Sequence, residues 1–243
     1  MEAATESGVL PLGSDPDRPL FTYYDDATGE RTELTAAALG GWAARTANLL
    51  VDGCGLDSGG RAAMLLPPHW QTAAVLLGSW AAGLSVNFHV AATAGLPPVG
   101  PDAGVPYDVV FASTQRLRSM IEIVPEAAHR FVLGGAHPDY LDYLTEVRRY
   151  PDTFRPPAPL RATDPASGDG TSFAEWGNLA QEMARLFDLR PGDRVLMDAA
   201  ENEQPVRWLL APLAAGASIV LCANLDPAKV ASRTAAEGVT RAL

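Results

Sequence analysis

Short apolar runs alternate along this chain with stretches whose apolar residues recur every three or four positions, and Gly and Pro punctuate the two. Leu20 to Tyr24 and Arg31 to Leu34 are β-prone runs on either side of Asp25-Asp26-Ala27-Thr28-Gly29-Glu30, the pattern of a hairpin. Thr35 is placed to cap a helix on which Leu39, Trp42, Ala43, Thr46, Leu49 and Leu50 share one face, with Gly53 and Gly55 to stop it. Arg61 to Leu66 reads as a strand ended by Pro67-Pro68. Trp70 to Ala82 reads as a helix closed by Gly83, and Ser85 to Phe88 as a strand. Further strands are expected at Val109 to Ala112 and Phe131 to Leu133, and helices at Gln115 to Ile121 and Asp139 to Arg149.

Residues 150–165 carry five prolines and fit neither a helix nor a central strand, so they are expected to link two lobes. Beyond them the alternation resumes. Ser172 can cap a helix reaching Phe187, the turn Arg190-Pro191-Gly192-Asp193 leads into a strand from Arg194 to Met197, and a helix from Glu203 to Ala215 is stopped by Gly216. A strand comes next at Ser218 to Leu221. Asp226-Pro227 then pairs an N-cap with a proline at the first helical position, opening a helix that ends near Gly238. Strands alternating with helices predict an α/β fold with largely parallel sheets. The expected organisation is an N-terminal arm over 1–19, a first α/β lobe over 20–150, the Pro-rich linker over 151–165 and a second lobe over 166–243.

The two lobes repeat one pattern. Residues 55–88 align on 188–221 at a constant offset of 133 without a gap, and 11 of the 34 positions are identical, among them Gly59/Gly192, Arg61/Arg194, Met64/Met197, Gly83/Gly216 and Ser85/Ser218. The turn, strand, helix, glycine and strand recur in the same order, which predicts two pseudo-symmetric lobes.

Composition narrows the function. A net charge of −11 and a pI near 4.7 leave no basic footprint for a nucleic-acid backbone or an anionic membrane surface, so neither is an expected partner. Seventeen of the 18 basic residues are Arg, and Lys229 is the single lysine. Cys54 and Cys222 lie far apart without metal-ligand spacing, and no stretch reads as a membrane span or a signal peptide, so a cytoplasmic location is expected.

Two copies of a helix, a turn and strand (Ser58-Gly59-Gly60-Arg61-Ala62 in the first, Pro191-Gly192-Asp193-Arg194-Val195 in the second), a second helix, Ala-Gly and a strand resemble the pseudo-symmetric halves of the N-terminal domain in adenylate-forming enzymes, the group of acyl-CoA synthetases, luciferases and peptide-synthetase adenylation domains. Leu65-Leu66-Pro67-Pro68-His69-Trp70, Ala81-Ala82-Gly83 and Leu225-Asp226-Pro227 with Val239-Thr240 carry the likeness, which spans about 20–241. The chain is most similar to a group of short actinobacterial acyl-CoA-synthetase-like proteins of unassigned function.

The resemblance implies a Ser/Thr/Gly-rich phosphate loop ending in Pro-Lys-Gly. Its counterpart is Ala166-Ser167-Gly168-Asp169-Gly170-Thr171, in which Ser167, Gly168, Gly170 and Thr171 survive as candidate cofactor-binding residues, the Lys is absent and Asp169 has the wrong sign for a phosphate. A bare Gly/Ser turn reads as well from these residues. The family's adenine and magnesium segment, ribose-binding Asp, hinge and mobile C-terminal domain with its catalytic Lys have no counterpart by Leu243. No catalytic residue, no metal site and no cofactor are therefore expected, with ATP or AMP doubtful. The expected role is non-catalytic binding or assembly, with another protein or a second copy as partner. One half of a split acyl-adenylate-forming ligase, or a nucleotide or acyl-group binder, are the alternatives.

Other chemistry-bearing residues have structural readings beside the functional ones. His69-Trp70 lies where an α/β sheet binds ligands but also begins a helix. His89, His129 and His137 are scattered. Asp25, Asp26, Asp198, Glu201 and Glu203 suit a hairpin turn and helix starts, as does Asn202. No Gly-x-Ser-x-Gly elbow supports serine hydrolysis.

Overall fold

The computed structural model describes residues 18–96 and 104–243. The expected arm over 1–19 therefore falls mostly outside the described residues, and Pro19 already opens the first strand. The chain begins with β1 (Pro19–Asp25), β2 (Glu30–Thr35), α1 (Ala36–Asn48), a π-helical turn at Leu49–Gly53 and β3 (Arg61–Leu65). It continues with α2 (Trp70–Ala81), β4 (Ser85–Phe88), β5 (Tyr107–Ser113), α3 (Thr114–Leu117), β6 (Ala127–Leu133), β7 (Leu141–Asp142) and α4 (Tyr143–Val147). After the Pro-rich segment come α5 (Phe173–Leu186), β8 (Arg194–Asp198), a π-helical turn at Val206–Leu210, α6 (Ala211–Ala215), β9 (Ser218–Ala223), α7 (Val230–Glu237) and β10 (Arg241–Ala242). No helix among the described residues is long and apolar enough to cross a membrane.

These elements build two compact units. The hairpin unit, residues 18–40, 68–73 and 175–243, holds a sheet in the order β10-β8-β9-β1-β2, parallel except for the β1–β2 hairpin. The central unit, residues 41–67 and 74–174, holds an all-parallel sheet in the order β4-β3-β5-β6-β7. The fold is thus α/β with two largely parallel sheets, as the alternation predicts.

Membership of the hairpin is a correction. It was expected in a lobe over 20–150, yet Phe21 to Asp25 pair in parallel with Ile219 to Ala223, placing it in the sheet of β8 and β9. The reason is burial. Leu20, Phe21, Thr22 and Tyr23 are all buried, so β1 needs neighbours on both edges and cover on both faces. β2 supplies one edge and β9 the other.

The repeat holds at the level of individual hydrogen bonds. Arg61 pairs with Ser85 and Met64 with Phe88, and 133 positions on Arg194 pairs with Ser218 and Met197 with Leu221. The Gly59 N–H donates to Gly83 O at 2.8 Å, and the Gly192 N–H to Gly216 O at 3.0 Å. The Ser85 N–H donates to Gly60 O, and the Ser218 N–H to Asp193 O, both at 2.8 Å. Gly83 and Gly216 have φ of 78° and 71°, the left-handed helix end that glycine adopts without a Cβ clash.

Two expected helices shrink. The one over 115–121 stops at Leu117, because Arg116 turns back to donate to His89 O and to pair with Glu122. After Leu117 the apolar side chains of Met120, Ile121 and Ile123 are exposed and not packed as a helix face. The helix over 139–149 starts only at Tyr143. Leu141 and Asp142 pair with Phe131 and Val132 as a strand, after which the Asp142 side chain accepts the Thr145 N–H as an N-cap. The Pro-rich segment has no regular structure but is tied down. Arg45 donates to Tyr150 O at 2.6 Å, and Asn48 Nδ2 donates to Pro151 O and Thr153 O, both at 2.9 Å.

Each unit has its own core. In the central unit Ala63, Leu65, Val110 and Ala112 pack beneath Leu117, Val124 and Tyr140, and Phe111 stacks on Phe131 at 5.2 Å. In the hairpin unit Leu196, Val220 and Cys222 pack with Tyr24, Leu225 and Val239, and Phe21 meets Trp208 edge-on at 6.0 Å.

Candidate functional site

The loop 166–171 lies in the central unit, between a β-bridge joining Pro165 to Ser172 and the edge strand β4. Its first residue is anchored twice. Ala166 O accepts the Val86 N–H and the indole N–H of Trp80, both at 2.9 Å. Asn87, a polar residue in the strand Ser-Val-Asn-Phe, accepts the Gly168 N–H on Oδ1 at 3.0 Å and donates from Nδ2 to Tyr107 Oη at 2.6 Å. A Cβ on Gly168 would stand 2.4 Å from that Oδ1, so the glycine is required by close approach. Gly170 closes the turn at φ 87°, with open space where a Cβ would be.

The donors of this loop are turned inward. The Ala166 and Ser167 N–H groups donate to Thr171 O, and the Gly170 N–H donates to Ser167 O. The Asp169 carboxylate accepts the Ser167 hydroxyl at 2.6 Å and the Thr171 N–H at 3.0 Å. These bonds, the Ser167 hydroxyl first, hold the Asp169 carboxyl below the usual carboxylate range, so it is ionised at neutral pH. The start of α5 is engaged as well. The Phe173 N–H donates to Asp164 O at 3.1 Å, and the Ala174 N–H to Ala162 O at 2.8 Å.

Ser167, Gly168, Gly170 and Thr171 are therefore brought together, but around a carboxylate of the chain itself. A phosphate brought to the same donors would face that carboxylate. Two unit charges about 4 Å apart repel by about 1 kcal/mol in water and about 4 kcal/mol near a protein surface. A helix N-terminus returns about 0.3–1 kcal/mol to an anion, and here its first amides are already donated. A triphosphate does not fit this loop as it stands. Sequence reasoning found Asp169 but read it only as a repelling charge. It missed Asn87 and Trp80, for which a polar residue in an apolar strand was the single available signal.

Several of the remaining candidates have structural posts. His69 Nδ1 accepts the Gln71 N–H at 3.1 Å, its Nε2 faces Glu30 at 3.5 Å, and its ring lies 4.2 Å from that of Tyr23. Burial lowers the His69 pKa, against the pull of Glu30. Both ring nitrogens are thus occupied. His89 Nε2 is buried without a hydrogen-bond partner, and burial lowers its pKa too. His129 lies on β6, and His137 stacks edge-on against Tyr140. Asp25 accepts the Ala27 N–H and Asn224 Nδ2 in the hairpin turn. Asp198 caps the turn at Ala200, and Asn202 receives Arg207 Nε on Oδ1 at 3.0 Å. Glu201 is exposed, and Glu203 lies close by, just ahead of the Val206–Leu210 turn.

Lys229, the single lysine, donates to Asp26 Oδ1 at 3.1 Å beside Arg233 at 2.7 Å. The Arg233 guanidinium above all holds the Asp26 carboxyl far below its ordinary value. The Asp226 side chain caps the turn after it by accepting the Ala228 N–H. Lys229 therefore closes an ion cluster in the hairpin unit. Among the described residues no group of three His, Cys, Asp or Glu side chains is placed to hold a metal ion.

The architecture and the loop define the class: the fold is that of the N-terminal domain of adenylate-forming enzymes. An acyl-CoA synthetase from Brucella canis matches with a TM-score of 0.68 at 17% identity, over 94% of this chain and 45% of its own. The anthranilate CoA ligase AuaEII, solved with anthranoyl-AMP, matches at 0.63 and 19%, over 93% and 45%. The N-terminal domain of FACL13 from Mycobacterium tuberculosis, solved with an inhibitor, matches at 0.64 and 17%, over 90% and 57%. The chain thus spans about half the length of the solved ligases it matches. No protein-family profile matches it. A Mycobacterium tuberculosis protein described as a TIGR03089 family protein is 39% identical over 249 residues, covering 96% of this chain and 94% of the relative. The chain belongs to the TIGR03089 family.

Proposed function

We propose that this protein is a non-catalytic relative of the adenylate-forming enzymes that acts by binding or assembly, with another protein or a second copy of itself as partner. The observation that carries the reading is the Asp169 carboxylate seated on the Ser167 hydroxyl and the Thr171 N–H, where a phosphate loop needs open donors. Chemistry at an acyl-phosphate centre draws on positioned cations to offset transition-state charge. The loop has no lysine, and Lys229 is committed to Asp26. The −11 net charge argues against a nucleic-acid partner.

The test is ATP–pyrophosphate exchange with magnesium and a panel of fatty and aryl acids, together with calorimetry of ATP binding. No exchange is expected, and ATP should bind more weakly than about 1 mM, equivalent to about −4 kcal/mol. Asp169→Lys should tighten ATP binding, because it removes the repelling charge and supplies a cation. Micromolar ATP binding by the unsubstituted chain would refute the reading.

A second reading, one half of a split acyl-adenylate-forming ligase, draws on the chain's spanning 45% to 57% of the three matched ligases. Under it, exchange activity should appear when a separately expressed C-terminal ligase half encoded beside this chain is added. The mycobacterial relative, covered over 94% of its length, has the same short span.

A further inference from the structure

His69 closes the N-terminus of α2 with its own ring. Its carbonyl accepts the Ala73 N–H at 3.0 Å, the first bond of the helix, and its Nδ1 accepts the Gln71 N–H at 3.1 Å. That is the geometry of an N-cap, a place usually held by Ser, Thr, Asp or Asn. An imidazole used in this way must leave Nδ1 unprotonated, so the ring proton lies on Nε2, which faces Glu30 Oε1 at 3.5 Å. The same Oε1 accepts the Trp70 indole N–H at 3.2 Å and the Thr32 hydroxyl at 3.1 Å. Within the hairpin unit one neutral ring therefore ties the start of the helix to the start of β2.

A charged ring does not fit this post. A proton on Nδ1 would point at the Gln71 N–H, donor against donor, and an imidazolium would face the positive end of the helix dipole. The His69 side chain is only 16% exposed, which leaves a charge there little water. Two carboxylates pull the other way, Glu30 on β2 and Asp25 at the end of β1. Asp25 is already engaged by the Ala27 N–H and Asn224 Nδ2, which leaves Glu30 as the partner. The Tyr23 hydroxyl stays neutral, because burial and then Asp25 and Glu30 raise its pKa. Burial outweighs the carboxylates at His69 and lowers its pKa.

We propose that His69 is an acid-sensitive latch: neutral, it caps α2, and protonated, it gives up the Gln71 amide and turns to the Glu30 carboxylate. The first turn of α2 then loses its cap. A lowered folded-state pKa puts the loss of stability below the ordinary imidazole value of about 6.5, where the unfolded chain takes up a proton that the folded chain lacks.

NMR of the histidine rings and backbone amides, with the full chain titrated from pH 8 to pH 4, tests this. Expected are an Nε2–H ring at pH 8, a His69 midpoint below about 6.5 and a Gln71 amide shift with that same midpoint. An Nδ1–H ring at pH 8, a ring still neutral at pH 4, a midpoint at or above about 6.5, or a Gln71 amide indifferent to the titration overturns the proposal. His69→Asn keeps a capping oxygen and removes the titration. Between pH 7 and pH 5 that variant should lose less stability to urea than the unsubstituted chain does, and equal losses overturn the latch. If the variant does not fold, the titration of the unsubstituted chain decides alone.

Discussion

The segments 57–88 and 190–221 share a backbone and almost nothing of what surrounds it. Both begin with a turn, run a strand outward from an arginine, return by a helix to a left-handed glycine and end in a second strand parallel to the first. The two arginines then part company. Arg61 lies over the Tyr107 ring at 4.7 Å and donates to Val105 O at 3.1 Å. Arg194 reaches Thr22 Oγ1 at 2.8 Å and pairs with Glu237, which also accepts the Tyr24 hydroxyl and the Arg31 guanidinium. The glycines part too, Gly83 crowded by Ser58 and Leu160 and Gly216 in ordinary contact range of Pro191 at 3.8 Å. The comparison teaches that a repeated sequence pattern preserves the skeleton, because turn and helix-end chemistry are local. The partners of its side chains come from whatever each unit adds around it.

The largest expected effect tests the arginines. Arg194→Ala leaves Glu237, whose side chain is 7% exposed, short of a partner, and stability should fall by about 3 kcal/mol. Arg61→Ala removes a ring contact and hydrogen bonds to carbonyls, and should cost about 1 kcal/mol. Urea denaturation of both variants checks the ordering, and equal losses would break the comparison.

The glycines come next. Alanine at either position takes on the left-handed strain of about 1 kcal/mol. At Gly83 its Cβ would also lie 2.5 Å from Ser58 Oγ and 2.9 Å from Leu160 Cδ2, adding about 1–2 kcal/mol of overpacking. Gly83→Ala should therefore melt several degrees below Gly216→Ala, at roughly 2–4 °C per kcal/mol for a chain of this size. A Leu160→Ala background should narrow that gap.

The smallest effect is in pH. Burial pushes the Glu237 carboxyl up, but hydrogen bonds from Tyr24, Arg194 and Arg31 outweigh it and hold the group at about 2, against an ordinary 4.5. A lowered folded-state pKa contributes stability that is complete above the ordinary value and is lost as pH falls from about 4.5 towards 2. At pH 4 the loss is about 1 kcal/mol. Glu237→Gln should flatten the acid limb of the stability profile between pH 5 and 3 relative to the unsubstituted chain, as seen in urea titrations at each pH.

Much of the fold was legible in the sequence, and the physical reason is locality. The Asp226-Pro227 start, the glycines ending α6 and α7, and the Asp/Gly hairpin turn each depend on residues within a few positions, and all appear as expected. The order of strand, helix and strand within each repeat was readable because matching apolar runs and turns recur at one offset. Residues 115–121 failed because a helical pattern of polar and apolar positions says nothing about Arg116 bending back to Glu122 and His89.

What only the tertiary structure decided involves partners distant in sequence. That β1 lies beside β9 depends on two edges meeting almost two hundred residues apart, which no local propensity encodes. The loop 166–171 shows the division most sharply. Its glycines and the missing lysine are plain in the sequence, and so is the sign of Asp169. Whether that carboxylate turns outward or folds onto its own loop depends on Asn87, Trp80 and Val86 holding the loop ends in place. A hydrogen bond needs its partner within about 3 Å, and only the folded chain sets that distance.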